Sequence, residues 1–343
     1  MMQYKVVNLG DDPWSRDLKY ELVNLPHYKT AKQWMRNIDI PMVETEYFQW
    51  LESQLVENGS VWNGLLSNRK DIIRQYHNFK HLFEIAPNFV EEQPTTQKID
   101  GVSYYYGPIC VKIRGSGEIR IWDGMHRTSI LLATNHPIRF TICEREDGWL
   151  NLLNSLKTLY PTMMYQAIPH PDFADWACCD YSIKEQQISN VVMDNGIKSI
   201  LDLGSCHGHV LYSLRGILQS ATGVEYDPVR YRVLKLLFDK LGFESYNANI
   251  FDVVNKTTKH FDCVFALAVF HHFTRENTIE KFNTLLDRIS SISDMLLYEL
   301  PEPGEEQHAW MYHDIDMHAI IQSRYRNSTV IPIQNRKMLL LQN

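Results

Sequence analysis

"ILDLGSCHGHV" (residues 200–210) carries a β-prone apolar run into Gly204, and Gly208 follows four positions later. A buried strand meeting a glycine turn and then a helix opens a doubly wound α/β domain, in which ligands gather at the strands' carboxyl ends. A dinucleotide-binding turn asks for G-x-G-x-x-G, but Cys206 stands where its second glycine belongs. The spacing is instead D/E-x-G-x-x-x-G, with Asp202 as the acid. That turn suits a nucleoside cofactor without a pyrophosphate, which has less need of three glycines. Glycine at 204 allows the sharp turn, and glycine at 208 lets backbone approach a ligand. Glu225 closes the next strand candidate, ATGVE, where an acid can accept hydrogen bonds from both hydroxyls of a ribose.

Outward from this stretch, strands and helical intervals alternate from Lys198 to the end. The strand candidates are SILDLG, SATGVE, ESYNANI, FDCVFALAV, DMLLYEL, STVIPI and KMLLLQ. Such alternation predicts a mostly parallel sheet with helices on both faces. Only QNR separates the last two candidates, too little for a crossover helix, so they form an antiparallel pair. Upstream, residues 1–95 read as helical, with helices over 44–59 and 69–86. Residues 87–101 read as turn-like, and PICVKI and EIRIW as a hairpin closed by RGSG. DGMHRTSILLATNHP opens a helix at a tight turn, IRFTIC is a further strand, and residues 150–165 bridge two domains. The chain thus divides into a helical region 1–95, a small α+β domain 96–150 and an α/β domain 151–343.

Bulk properties narrow the classes. The chain has 343 residues, 44% hydrophobic and 22% charged, with net charge −7, as expected of a globular protein with two cores. The acidic balance argues against a non-specific nucleic-acid binder. The N-terminus lacks a signal-peptide core and no 18-residue apolar run occurs, so a cytoplasmic location without a membrane span is expected. Six cysteines without C-x-x-C spacing point to neither zinc nor a disulfide framework. His77 and His81 stand at i, i+4, but Asn78 replaces the glutamate of a metalloprotease helix, and no metal is assigned.

Taken together, LDLGSCHG, GVEYDP, ANIFDV and FDCVFALAVFHHF stand in the order of the class I S-adenosylmethionine (SAM)-dependent methyltransferases, which the region 160–343 resembles. The resemblance implies a Rossmann-like seven-stranded sheet and SAM as cofactor. It places Asp202, Gly204, Ser205 and Gly208 along the methionine, Glu225 on the ribose and Tyr226 beside the adenine. Asn249 replaces the usual aspartate toward the adenine amine and is to accept through its amide oxygen, with Ile250 next to it. Ala268 to His271 border cofactor and acceptor.

YQAIPHPDF (165–173), VFHHF…LLDRISSISDMLLYEL and NRKMLLLQN are similar to the methyltransferase part of enzymes that cap O-antigen polysaccharides by methylating a phosphate on the terminal sugar. By that resemblance Tyr165 reaches over the cofactor, and Lys184 substitutes for an arginine on the cofactor carboxylate. The acceptor expected is a saccharide or phosphosaccharide, with His272 and Trp310, in QHAWMYHDIDMH, as substrate contacts. Phosphate acceptors are already anionic and need no base; for a hydroxyl, His271 is the candidate general base.

GPICVKIRGSGEIRIWDGMHRTSILLATNHPIRFTI (107–142) resembles the ParB/sulfiredoxin-like domain with its D-G-x-H-R signature. A tight Asp123-Gly124 turn, backbone N–H groups at a helix start and the fork of Arg127 suit a phosphate. The resemblance implies contacts of Asp123, Gly124, His126 and Arg127 with ATP or CTP, and Glu118 and Glu144 are the carboxylates on offer for turnover. A purely structural reading has Asp123 capping the helix and Arg127 pairing with an internal carboxylate. The competing functions are a bifunctional kinase–methyltransferase, a nucleotide-gated binding module and an RNA methyltransferase. The oligomeric state is left open.

Overall fold

The computed structural model describes residues 5–7, 14–62, 64–85, 95–99, 102–106, 108–272, 279–302, 305, 316–333 and 336–343. The chain forms two compact units: Met1–Asn151 with His170–Asp172, and Leu152–Pro169 with Phe173–Asn343.

In the first unit, helices α1 (Arg16–Asn24), α2 (Pro26–Arg36), α3 (Glu46–Asn58) and α4 (Arg69–Glu84) form where the helical spacing predicts. Asn68 starts α4 by accepting the Asp71 N–H at 3.0 Å, and Gly59, in the left-handed region, ends α3. A four-stranded sheet runs in the order β1 (Lys5–Val7), β6 (Ile138–Arg145), β4 (Ile109–Ile113), β5 (Ile119–Asp123). The hairpin β4–β5 is antiparallel as expected, whereas β4 and β6 are parallel because helix α5 (Met125–Ala133) crosses between β5 and β6. Two expectations are corrected. A strand, β1, lies in the stretch read as helical, and β2 (Thr95–Ile99) pairs with β3 (Val102–Tyr106) where 87–101 was read as a turn. Short strands without a full alternating pattern leave little signal.

No separation appears at residue 95. Ile130 and Ala133 of α5 share a core with Trp34, Phe48, Leu51, Ile72 and Phe79 of α2 to α4. Helix α6 (Asp147–Leu159) takes up the first ten residues of the stretch 150–165 read as a bridge. Asp172 is tied into the first unit by Arg145, through Nε at 2.9 Å, and by Trp149 Nε1 at 2.8 Å.

The second unit holds a seven-stranded sheet in the order β12 (Asn327–Ile333), β13 (Arg336–Gln342), β11 (Ser293–Glu299), β10 (Phe261–Leu267), β7 (Ser199–Leu203), β8 (Ser220–Glu225), β9 (Glu244–Asn247). β9, β8, β7, β10 and β11 are parallel. β13 inserts antiparallel between β11 and β12, confirming the terminal pair. Helices α7 (Ser182–Asp194), α8 (His209–Ser213), α9 (Pro228–Leu241), α10 (Ile250–Lys256), α11 (Ile279–Ile292) and α12 (Met317–Gln322) connect the strands or flank them. α11 packs Phe282, Leu285, Leu286 and Ile289 into a core with Val264, Ala266 and Leu296 of the sheet. Chain order reverses between β7 and β10, which places a crevice at their carboxyl ends. Among the described residues no helix is long and apolar enough to cross a membrane, and no three His, Cys, Asp or Glu gather as metal ligands.

Asp172 gives the first prediction. Burial opposes its charge, but hydrogen bonds from Arg145 and Trp149 hold its carboxyl below the usual range. Asp172→Asn is expected to cost about 2 kcal/mol in urea unfolding of the first unit. In the parent chain this contribution is present above the unfolded carboxyl pKa and fades as pH falls through the lowered folded value.

Candidate functional site: a carboxylate-lined crevice

β7 is buried along most of its length because SILDLG has sheet on both sides of it, and Asp202 faces Phe265 of β10 and Gly223 of β8 in register. At its end Gly204 and Ser205 both donate backbone N–H groups to the Val224 carbonyl at 2.9 Å, stitching the turn to β8. Ser205 Oγ donates to the Asp202 carbonyl at 2.9 Å and accepts the Val224 N–H at 3.2 Å. The turn closes with the Gly208 N–H on the Ser205 carbonyl at 2.8 Å.

Gly208 has a reason other than the expected approach of a ligand. A Cβ there would stand 2.6 Å from Phe238 and 2.7 Å from Leu234, so the glycine is required by packing of α9 against the turn. α8 ends at Ser213, short of the stretch HVLYSLRGIL read as helix-like.

Glu225, at the end of β8, is buried, and its carboxylate spans two loops. Oε2 accepts the Cys206 N–H at 2.9 Å and Oε1 the Asp227 N–H at 2.8 Å. Asn247 of β9 donates to the carbonyls of Glu225 and Tyr226 at 2.9 and 3.0 Å. Asp227 then starts α9, accepting the N–H groups of Val229 and Arg230. Burial raises the carboxyl of Glu225 above its ordinary value. Burial likewise pushes Asp202 up to about 7, with Ser205 opposing, the Glu225 charge adding and Lys184 opposing.

Among the described residues of the second unit, two non-glycine residues have left-handed backbones, Cys206 (φ 52°) and Ala268 (φ 55°), one after β7 and one after β10. Strain of this kind is found at sites whose geometry the surroundings enforce.

The remaining expected residues fall as follows. Tyr226 is 75% exposed, leaving its ring open to a stacking partner. The amide oxygen of Asn249, the acceptor expected for an adenine amine, takes the Phe251 N–H at 3.0 Å and caps α10, and Ile250 beside it is buried. Tyr165 is exposed and its ring lies 5.7 Å from that of Tyr181. Ala268 donates its N–H to the Glu299 carbonyl at 3.3 Å. His271 is buried, with the exposed His272 ring 4.0 Å away. Burial, then the fields of His272 and Arg336, bring its pKa down to about 4, so it is uncharged at neutral pH. Trp310 lies outside the described residues. Lys184, expected on a cofactor carboxylate, is bound to Glu299.

Glu299 is a residue the sequence reading missed. It closes an apolar strand as Glu225 does, and that shared signature is the signal that would have found it.

In the first unit the D-G-x-H-R turn separates its members. Gly124 is the left-handed start of α5, without a side-chain cap. Exposed Asp123 lies 3.7 Å from the guanidinium of Arg127 and does not cap the helix, unlike in the structural reading, which makes it the cap and puts Arg127 on an internal carboxylate. His126, expected on a phosphate, is part-buried, and its Nε2 lies 2.7 Å from the Tyr47 hydroxyl. Burial, with His27 and Arg127 nearby, lowers its pKa well below the ordinary value, and the ring packs edge-on to Phe79 and Tyr47.

Two buried carboxylates at the switch point, that of Glu225 held by two backbone N–H groups, form an acceptor set that fits a ligand bearing ribose hydroxyls and positive charge. Residues 201–290 match the methyltransferase domain family. No curated protein matches the sequence at a significant level. Among solved structures, the bifunctional kinase-methyltransferase WbdD is 21% identical over 56% of this chain and 46% of that one, with a TM-score of 0.48. The match therefore spans about half of that protein's length. The N-terminal domain of EvdMO1 with S-adenosylhomocysteine bound is 14% identical over 56% and 96% of the two chains, TM-score 0.38. A SAM-dependent methyltransferase from Clostridium acetobutylicum ATCC 824 is 12% identical over 53% and 65%, TM-score 0.33.

Two outcomes are expected here. A cationic cofactor favours ionised Asp202, so its Kd should fall roughly tenfold between pH 6 and pH 7.5 in calorimetry, and Asp202→Asn should flatten that dependence. Gly208→Ala should lower stability by about 1–3 kcal/mol, read by thermal unfolding.

Proposed function

We propose that this chain, an enzyme whose C-terminal unit carries a class I SAM-dependent methyltransferase domain, methylates an oxygen of a saccharide or phosphosaccharide in surface-polysaccharide or related glycan biosynthesis. The observation that carries the reading is the pair of buried acids, Asp202 and Glu225, at the carboxyl ends of adjacent strands. The saccharide is supported by the resemblance of residues 165–173, the region around His271 and the terminal hairpin to polysaccharide-capping methyltransferases.

Glu225 would hold the ribose hydroxyls, Tyr226 the adenine face, and Asp202 with the Gly204–Gly208 turn the methionine. Bound there, SAM supplies an electrophilic methyl group. The protein would align the acceptor oxygen with it and exclude water, while His271, uncharged at neutral pH, would accept a hydroxyl proton.

The first unit is proposed to bind phosphate or a nucleotide, ATP or CTP, through the backbone at the start of α5 and through Arg127. The uncapped Gly124 start favours this reading. The kinase extension has less support, since Glu118 is paired with Arg120 and Glu144 with Lys112. Arg127→Ala should remove nucleotide binding in calorimetry without altering SAM affinity.

Incubation with methyl-labelled SAM and a glycan extract, followed by mass spectrometry, should place label on a saccharide. Glu225→Ala should weaken cofactor binding by at least about tenfold, the worth of one or two hydrogen bonds to a charged group. No heat of binding for SAM or S-adenosylhomocysteine would overturn the reading.

A further inference from the structure

Arg230, the third residue of α9, turns its half-buried guanidinium back toward the turns that hold Glu225. Its Cζ lies 5.7 Å from the centre of the Tyr160 ring. The Tyr160 hydroxyl is 3.9 Å from the sulfur of Cys206. Cys206 gives its N–H to Glu225 Oε2 and Asp227 gives its own to Oε1, while the Asp227 carboxylate takes the Arg230 N–H at 2.8 Å. Five residues from three segments of the chain thus form a closed ring of contacts around one carboxylate.

The guanidinium is partly sealed from water. Its Nε is buried and has no hydrogen-bond partner among the described residues. A cation gives up hydration in this way only where its surroundings favour the charge. At Arg230 burial opposes the charge, and Cys206, Tyr160, Glu225 and Asp227 favour it. At neutral pH the first two are uncharged, since burial pushes the Cys206 thiol up to about 12 and raises the Tyr160 phenol as well. The anions facing Arg230 are therefore Glu225 and Asp227.

The same balance holds from the side of Glu225. Burial works against its charge, while the Asp227 N–H, Arg230 and the Cys206 N–H work for it and the Asp227 charge works against it. Arg230 is the side-chain cation in that set. Asp202, the neighbouring acid, is acted on by burial, Ser205, Glu225 and Lys184.

A protonated carboxyl carries a donor where a ribose diol needs an acceptor, so charge is what fits Glu225 to a nucleoside. We infer that Arg230, seated against the Tyr160 ring, is a positioning residue for the cofactor, the countercharge that keeps Glu225 an acceptor for the ribose hydroxyls. Arg230 has this role only within the methyltransferase reading, where Glu225 holds the ribose, and it acts through Glu225.

The test measures the Kd of S-adenosylhomocysteine by calorimetry on the full chain, from about pH 5.5 to about pH 9, for the parent, Arg230→Gln and Arg230→Lys. Without the countercharge Glu225 gives up its carboxylate form at a higher pH than in the parent. Arg230→Gln should therefore match the parent at the alkaline end and bind about tenfold more weakly on the acidic side, the effect of a one-unit shift. Asp202 contributes to parent and variants alike, so the difference between the profiles reports Glu225. Arg230→Lys, with the charge but without the flat guanidinium, should follow the parent profile within about threefold. An Arg230→Gln profile that overlays the parent's, or one weakened equally at every pH, overturns the inference. Should Arg230→Gln not fold, Arg230→Lys decides: a parent-like profile supports the countercharge, and a loss independent of pH overturns it. A parent chain that binds neither S-adenosylhomocysteine nor SAM at any pH overturns the cofactor reading itself, and the role of Arg230 with it.

Discussion

The carboxylate of Glu225 is the tie on which the C-terminal site depends. It receives one backbone N–H from the turn after β7 and another from the turn after β8, so two loops become one surface. Hydrogen bonds to a charged acceptor are the stronger kind, and here they hold Cys206 in a backbone region that costs an L-residue of order 1–2 kcal/mol. Asn247 adds the third strand by holding the carbonyls on either side of the Glu225–Tyr226 peptide link. The site is therefore built from strand ends whose spacing the sheet sets, and the loops add little freedom of their own.

Much of this was legible because its signals are local. A buried strand, a glycine turn and an acid ending the next strand lie within 26 residues, from Ile200 to Glu225, and a short connection suffices to predict the terminal antiparallel pair. What escaped depends on distance or on context. Lys184 and Glu299 are 115 positions apart, and Glu299 and Arg336 are 37 apart, so no window of sequence joins them. β1 has three residues and is a strand only because β6 offers it an edge. The packing of α9 against Gly208 is likewise invisible locally, since Leu234 and Phe238 lie 26 and 30 positions on.

The D-G-x-H-R turn shows the same limit from another side. Its letters suggest four residues gathered on one ligand, yet the helix that follows turns the part-buried His126 against the rings of Tyr47 and Phe79 while Asp123 stays in solvent. An imidazole and a guanidinium one residue apart on a helix point about 100° away from each other, so one ligand is not easily shared between them. The His126 ring is taken up by the layer packed above α5, which comes from residues 26–84.

The grip on Glu225 also bears on which nucleosides the crevice can tell apart. With one lone pair on each oxygen already taken by the backbone, the carboxylate offers a fixed, negatively charged acceptor to a neighbouring diol. A ribose bearing a 2′-phosphate would set two anions against each other in a buried place, and a 2′-deoxyribose would leave an acceptor unfilled. With a ribose seated on Glu225 as proposed, the turn would reject phosphorylated and deoxygenated sugars by the same two hydrogen bonds that give the loops their shape.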